Sequence, residues 1–118
     1  MVSWNNLDTL ASFKELANVK PACLTEVMSG DSGADRVKKY SIPMAAGLSY
    51  NYASKQVDED VLSALEKLAD EAQLADKFKA LYNGEVVNTG EKRLVLHHMT
   101  RGQLGDAVEA DGVDKRTF

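Results

Sequence analysis

A mainly α-helical fold, several short-to-medium helices with one small β-hairpin, is what three observations in this 118-residue sequence predict. The longest apolar periodicity is helical: Val61, Leu62, Leu65, Leu68, Ala69 and Ala72 share one stripe, with Glu66, Lys67, Asp70 and Glu71 turned to water. Helix start and stop residues punctuate that pattern at Asp58 and Gly84. Only between residues 41 and 52 does the period change to the two-residue alternation of strands.

The elements follow in chain order. Trp4, Leu7, Leu10, Ala11 and Leu16 recur at helical spacing, with Phe13 nearby and Ser3 placed to cap. Trp4 and Phe13 are read as anchors on the body of the domain in preference to a partner-binding stripe. Pro21 sets the start of a second short helix carrying Leu24, Val27 and Met28, which Gly30 is expected to end. Cys23 falls in that helix without a Cys or His at metal-ligand spacing, so it is read as a small packed residue. Residues 30–33 are expected to turn, and 35–40 to form a further short helical segment. Ser41 to Met44 and Leu48 to Tyr52 alternate on either side of Ala45-Ala46-Gly47, the pattern of a hairpin whose Pro43 belongs on an edge. Tyr50 and Tyr52 then share one face. Packing of that hairpin on helices is favoured over stacking on a sugar or base, because two strands alone are marginally stable.

Asp58 is the expected N-cap of the long helix, with Glu59 and Asp60 in its first turn, where the helix dipole favours negative charge. The next apolar set, Leu74, Ala75, Phe78 and Leu81, is shifted in phase, which predicts a bend at Gln73. Gly84 is the expected left-handed residue after the second helical stretch. Asn88 followed by Glu91 has the spacing of a capping box and predicts a new helix carrying Leu94, Val95, Leu96, His97 and Met99, with Gly90 in its first turn. Glycines and acids dominate residues 102–112, expected as a loop or weak hairpin leading into 114–118.

A chain of this length suits a single domain with one core. The formal net charge of -4, with signs interspersed, gives neither the basic footprint of a nucleic-acid binder nor a membrane-surface patch. One cysteine forms no internal disulfide, no signal peptide is evident, and no apolar run approaches the ~20 residues of a bilayer span. A soluble, cytoplasmic chain is expected.

Residues that could carry chemistry each have a structural reading that outweighs the functional one. His97 and His98 point about 100° apart on a helix, and positions four away are Arg93, Leu94 and Arg101, none of them metal ligands. One ring is expected to be hydrogen-bonded and partly buried, the other exposed. Asp58, Glu59 and Asp60 are explained by a cap and first turn. Gly30-Asp31-Ser32-Gly33 has the residue types of a phosphate cradle, but no Lys-Ser/Thr pair follows and no strand precedes it. No catalytic, substrate-binding or metal residue is assigned, and no cofactor.

Several segments do carry a resemblance. Residues 84–97, GEVVNTGEKRLVLH, resemble the GE-x-IN-x-TE-x-RAVLH stretch of the glucose-6-phosphate isomerase family. Residues 36–41, RVKKYS, resemble its RF-x-x-FS, and residues 51–59, NYASKQVDE, its DYSKN-x-x-TE. Residues 111–114, DGVD, resemble its DGKD. Order and spacing agree over roughly 24–114.

The resemblance implies an aldose-ketose isomerase of glycolysis and gluconeogenesis, interconverting glucose 6-phosphate and fructose 6-phosphate without metal or cofactor, by proton transfer through an enediol. In the family the groups for that chemistry lie downstream, in two sugar-isomerase domains of alternating strands and helices. Residues 1–118 would be the N-terminal helical lobe, cut short of the helix the family begins near Asp114. The expected partners are the remaining catalytic domains of the same enzyme, in a homodimer for the full-length form. No nucleic acid and no membrane are expected, and the segment alone should be inactive. The competing reading is a stand-alone helical interaction module.

Overall fold

The computed structural model describes residues 1–101, 107–110 and 113–115. Five α-helices dominate them: α1 Ala11–Asn18, α2 Leu24–Val27, α3 Gly30–Lys39, α4 Glu59–Glu71 and α5 Leu74–Tyr82. Tight 3-10 turns occupy Leu7–Thr9, Ala45–Gly47 and His97–Arg101. Strands pair two at a time and antiparallel: β1 Ser41–Pro43 with β2 Ser49–Asn51, β3 Val86–Asn88 with β4 Arg93–Leu94, and β5 Glu109–Ala110 with β6 Val113–Asp114. The mainly α class expected from the sequence is the observed one. Chain contacts define two compact units, Lys14–Lys67 and Met1–Phe13 with Leu68–Phe118, each with its own small core.

In the Lys14–Lys67 unit the buried side chains are Ala22, Arg36, Tyr40, Ala53, Val61 and Ala64. The start of α4 is as read from the sequence: Asp58 Oδ1 accepts from the Val61 N–H at 2.9 Å. Leu65, expected in the buried stripe, is instead exposed, and Ala64 takes the inward position. Residues 30–33, expected as a turn, are the first turn of α3. Gly33 signals close approach in place of a turn: a Cβ there would stand 2.4 Å from the Met28 carbonyl oxygen, so only glycine lets α3 pass the end of α2. Consequently Gly30 opens α3 and does not end α2, and Cys23 precedes α2 as its N-cap residue.

The β1–β2 hairpin forms with the expected pairing, Ser41 opposite Asn51, Ile42 opposite Tyr50 and Pro43 opposite Ser49. Ala46 at its tip has a left-handed backbone, φ 58°. Aromatic rings seat the hairpin on α3. Tyr50 and Tyr52 lie 6.0 Å apart at 19°, Tyr52 and Tyr40 5.0 Å apart at 37°, and the Arg36 guanidinium sits 4.4 Å above Tyr40. Asn51 closes the far end, donating from Nδ2 to the Val37 carbonyl at 2.7 Å and accepting at Oδ1 from the Ala53 N–H at 3.0 Å.

The other unit buries Ser12, Ala72, Ala80, Met99 and Val108. The first helix starts later than its apolar spacing suggested. Leu10 is extended, with ψ 145°, and α1 begins at Ala11. Its cap is not Ser3, whose N–H donates to the Gln73 side chain at 2.8 Å. The carboxylate of Glu71 performs that task, accepting from Ala11 N–H at 3.3 Å, from Ser12 N–H at 2.8 Å and from the Ser12 hydroxyl. Trp4 and Phe13, expected as anchors, are both just over a third exposed.

Between α4 and α5 the bend falls at Gln73, in the left-handed region at φ 55°. The phase-shifted apolar set of α5 is divided: Leu74 and Phe78 are 60% and 64% exposed, Leu81 is half-buried, and the buried position is Ala80. Gly84, at φ 75°, ends α5 with a paired closure, Glu85 N–H to the Ala80 carbonyl at 2.9 Å and Gly84 N–H to Leu81 at 3.2 Å. No helix follows at Asn88. Only the forward bond of a capping box forms, Asn88 Oδ1 accepting from Glu91 N–H at 3.2 Å; the return contact is between side chains, Asn88 Nδ2 donating to Glu91 Oε2 at 3.2 Å. They close the turn between β3 and β4, because Lys92 at φ 55° redirects the chain and Val86-Val87 favour a strand. Leu94 accordingly lies in β4, and His97 and Met99 in the 3-10 turn. Of the loop or weak hairpin expected over 102–112, residues 102–106 and 111–112 lie outside the described residues, as do 116–118, while β5 and β6 pair as a short hairpin.

Candidate functional site

His98 is held at the end of α5. Its ring stacks on Tyr82 at 5.0 Å, and Nε2 lies 3.2 Å from the Tyr82 carbonyl, one of the terminal carbonyls a helix leaves without an intrahelical donor. That contact selects the tautomer with hydrogen on Nε2 and leaves Nδ1 buried, with no hydrogen-bond partner among the described residues. His97 is exposed, so the two rings divide as their adjacency predicted. Among the described residues no group of three His, Cys, Asp or Glu is disposed to hold a metal ion.

The three acids at the start of α4 separate in role. Asp58 caps. Glu59 Oε1 receives Lys39 Nζ at 2.7 Å and the Tyr40 hydroxyl at 3.2 Å. The Lys39 hydrogen bond and charge, with the Tyr40 hydroxyl, hold Glu59 below its ordinary carboxylate range, and Glu59 in turn raises Lys39. Asp60 is exposed. A carboxylate held ionised by a neighbouring ammonium is a poor proton acceptor, so this cluster is a structural tie between α3 and α4. Cys23, expected to be packed, is exposed, with Sγ 3.1 Å from the Thr25 hydroxyl. Residues 30–33 lie inside a helix and offer no phosphate loop.

Two side chains with structural weight escaped the sequence reading. Arg36 is buried, its Nε donating to the Ala53 carbonyl at 2.8 Å and its Nη2 to those of Lys55 and Val57 at 2.9 and 2.6 Å. The four-residue spacing from Arg36 to Tyr40, which puts both on one helix face, is the signal that could have exposed this contact. Glu71 capping α1 has no local signal, since its partners lie sixty positions away.

What the described residues offer to a partner is apolar surface. In the Lys14–Lys67 unit Ile42, Tyr50, Tyr52, Leu62 and Leu65 line an open groove of about 410 Å³, with Lys55 as its charged member. In the other unit Leu74 and Phe78 border two shallow depressions of about 580 and 290 Å³, one beside Ala69 and Ala75, the other beside Trp4 and Leu81. No described helix is long and apolar enough to cross a membrane.

Residues 51–117 match the family model of phosphoglucose isomerase. The chain belongs to the phosphoglucose isomerase family. Among curated relatives, the glucose-6-phosphate isomerase of Treponema denticola is 42% identical over 99% of this chain and 23% of its own length. That of Borreliella afzelii is 42% identical over 100% of this chain and 22% of its own. That of Treponema pallidum is 46% identical over 85% of this chain and 19% of its own. The chain thus spans about a fifth of the length of the phosphoglucose isomerase relatives it matches. The matched stretch runs from the end of β2 through α4 and α5, so the Asp58 cap, the Gln73 bend and the Gly84 closure all lie within it.

Proposed function

We propose that residues 1–118 form one structural segment, the N-terminal helical lobe of a glucose-6-phosphate isomerase that acts in the cytoplasm in glycolysis and gluconeogenesis. Its apolar surfaces pack against the catalytic remainder, and the whole enzyme is a homodimer. The observation that carries this reading is about 40% identity along the whole chain to proteins of which it covers only about a fifth.

Isomerisation moves a proton between adjacent sugar carbons, which requires a base within hydrogen-bond reach of a carbon-bound proton, donors for the developing enediolate and a phosphate site. Three of the acids singled out by the sequence or the fold are committed elsewhere: Asp58 to the α4 cap, Glu59 to Lys39 and Tyr40, Glu71 to the start of α1. His98 is bound to the Tyr82 carbonyl. Catalysis therefore belongs to the remainder of the enzyme, and the lobe contributes packing.

A coupled assay on the purified 118-residue chain should give background rates with fructose 6-phosphate, and glucose 6-phosphate should not move its melting temperature. Saturable turnover, removed by His98→Ala, would overturn the assignment of catalysis to the remainder.

A further inference from the structure

The two edges of the β1–β2 hairpin differ. Tyr52 N–H donates to the Tyr40 carbonyl at 2.9 Å and Met44 N–H to the Leu48 carbonyl at 2.8 Å, and Ile42 faces Tyr50 midway between them. Hydrogen-bonded pairs in an antiparallel ladder alternate, so they fall at 40/52, 42/50 and 44/48, and the main-chain groups of the residues between point outward. On the β1 edge those residues are Ser41 and Pro43, and proline has no N–H to offer, so that row is interrupted. On the β2 edge they are Ser49 and Asn51, each with both N–H and C=O at ladder spacing. One face of the same hairpin carries Ile42 and Tyr50, 50% and 48% exposed, and continues over Leu62 and Leu65 of α4 with Lys55 alongside.

We infer that the β2 edge accepts an extended segment of the remaining family-length polypeptide. It pairs with Ser49 and Asn51, lays apolar side chains on Ile42, Tyr50 and Leu65, and brings a carboxylate to Lys55. This rests on the reading given under Proposed function, and the length of the relatives supports it: most of each matched isomerase lies outside the part this chain covers. A segment in the same polypeptide reaches the edge at an effective concentration on the order of millimolar, which a second copy attains only at that bulk concentration. Strand addition of this kind draws affinity from main-chain bonds and specificity from alternate side chains.

The test joins this chain to the part of the Treponema denticola isomerase beyond its matched stretch, and compares the product with the isolated chain. Amide exchange at Ser49 and Asn51 should be about 100-fold slower in the joined protein. Ser49→Pro deletes an outward N–H and no ladder bond. It should leave the melting temperature of the isolated chain unchanged and lower that of the joined protein by several degrees. An active joined protein with unprotected amides would overturn the inference and leave the proposed function standing. A joined protein that folds but has no isomerase activity would remove both. Protection that grows with concentration in the isolated chain would identify a second copy as the occupant, and would overturn the inference as well.

Discussion

The Arg36 guanidinium stands 4.4 Å above the ring of Tyr40, the residue that caps the end of α3, while donating to the carbonyls of Ala53, Lys55 and Val57. One cation thus meets the acceptor demand of the segment that carries the chain from β2 to α4. Each carbonyl left without a donor costs about 1–3 kcal/mol when buried. Arg36→Ala should therefore cost about 3 kcal/mol in urea denaturation. Arg36→Lys should recover little of that, because an ammonium lacks the fork that reaches three acceptors and the plane that stacks. A loss under about 1 kcal/mol for Arg36→Ala would show that water replaces the guanidinium.

Acid should loosen the start of α1. Hydrogen bonds from the Ser12 hydroxyl and the Ser12 and Ala11 N–H groups hold Glu71 below its ordinary 4.5. A depressed folded-state value means that the unfolded chain binds the proton more tightly. Stability from the contact is therefore complete above about pH 4.5 and is lost as pH falls through the lower folded value. Glu71→Gln should melt below the wild type near neutrality, and the gap should narrow once pH drops below 4.5. Glu59, also depressed, is present in both proteins and cancels from the comparison. A gap that stays constant down to pH 3 would remove Glu71 from the cap.

Gly84 faces two demands at once. Its φ of 75° is strained for any residue with a Cβ, and a Cβ there would fall 2.0 Å from Val108 Cγ1. Left-handed strain alone costs about 1 kcal/mol for alanine. Gly84→Ala should exceed that in denaturant melts, and in a Val108→Ala background the penalty should fall back toward it. Equal penalties in the two backgrounds would mean that the valine moves aside freely.

The phase of α5 is testable from both sides. Leu74→Gln and Phe78→Gln, on the exposed face, should each stay within about 0.5 kcal/mol of wild type in the isolated chain. Ala80→Leu, which pushes three more carbons into a buried site, should cost about 1–3 kcal/mol. The reverse ranking would restore the apolar face as the inner one.

Local chemistry made much of this fold legible. Asp58, Gln73, Gly84 and the Ala45-Ala46-Gly47 tip each act within a few residues, and each was found where its side chain or backbone placed it. Tertiary demands were not legible in the same way. Gly33 reads as a turn residue but is a helix residue chosen by the Met28 carbonyl. Asn88 accepts from the Glu91 N–H as a helix cap would and yet closes a hairpin, because a side-chain-to-backbone bond of that type serves either structure. Apolar periodicity located α5 and its phase shift but did not show which positions are buried: Leu74 and Phe78 are exposed and Ala80 is inside. The family resemblance lay in short segments whose order could be read directly, whereas the exposed groove needed the hairpin and α4 brought together.

Glu71 also sets a schedule. During synthesis Ala11 leaves the ribosome sixty residues before the carboxylate that caps it. At usual translation rates that interval is roughly 3–12 s, long against the microsecond fluctuations of a short helix. For that time the eight residues of α1 lack their cap, and a helix this short is marginal alone. The first helix in the sequence is thus among the last to settle, and a chaperone that holds nascent apolar segments would meet Phe13 and Leu16 while they are still unfolded.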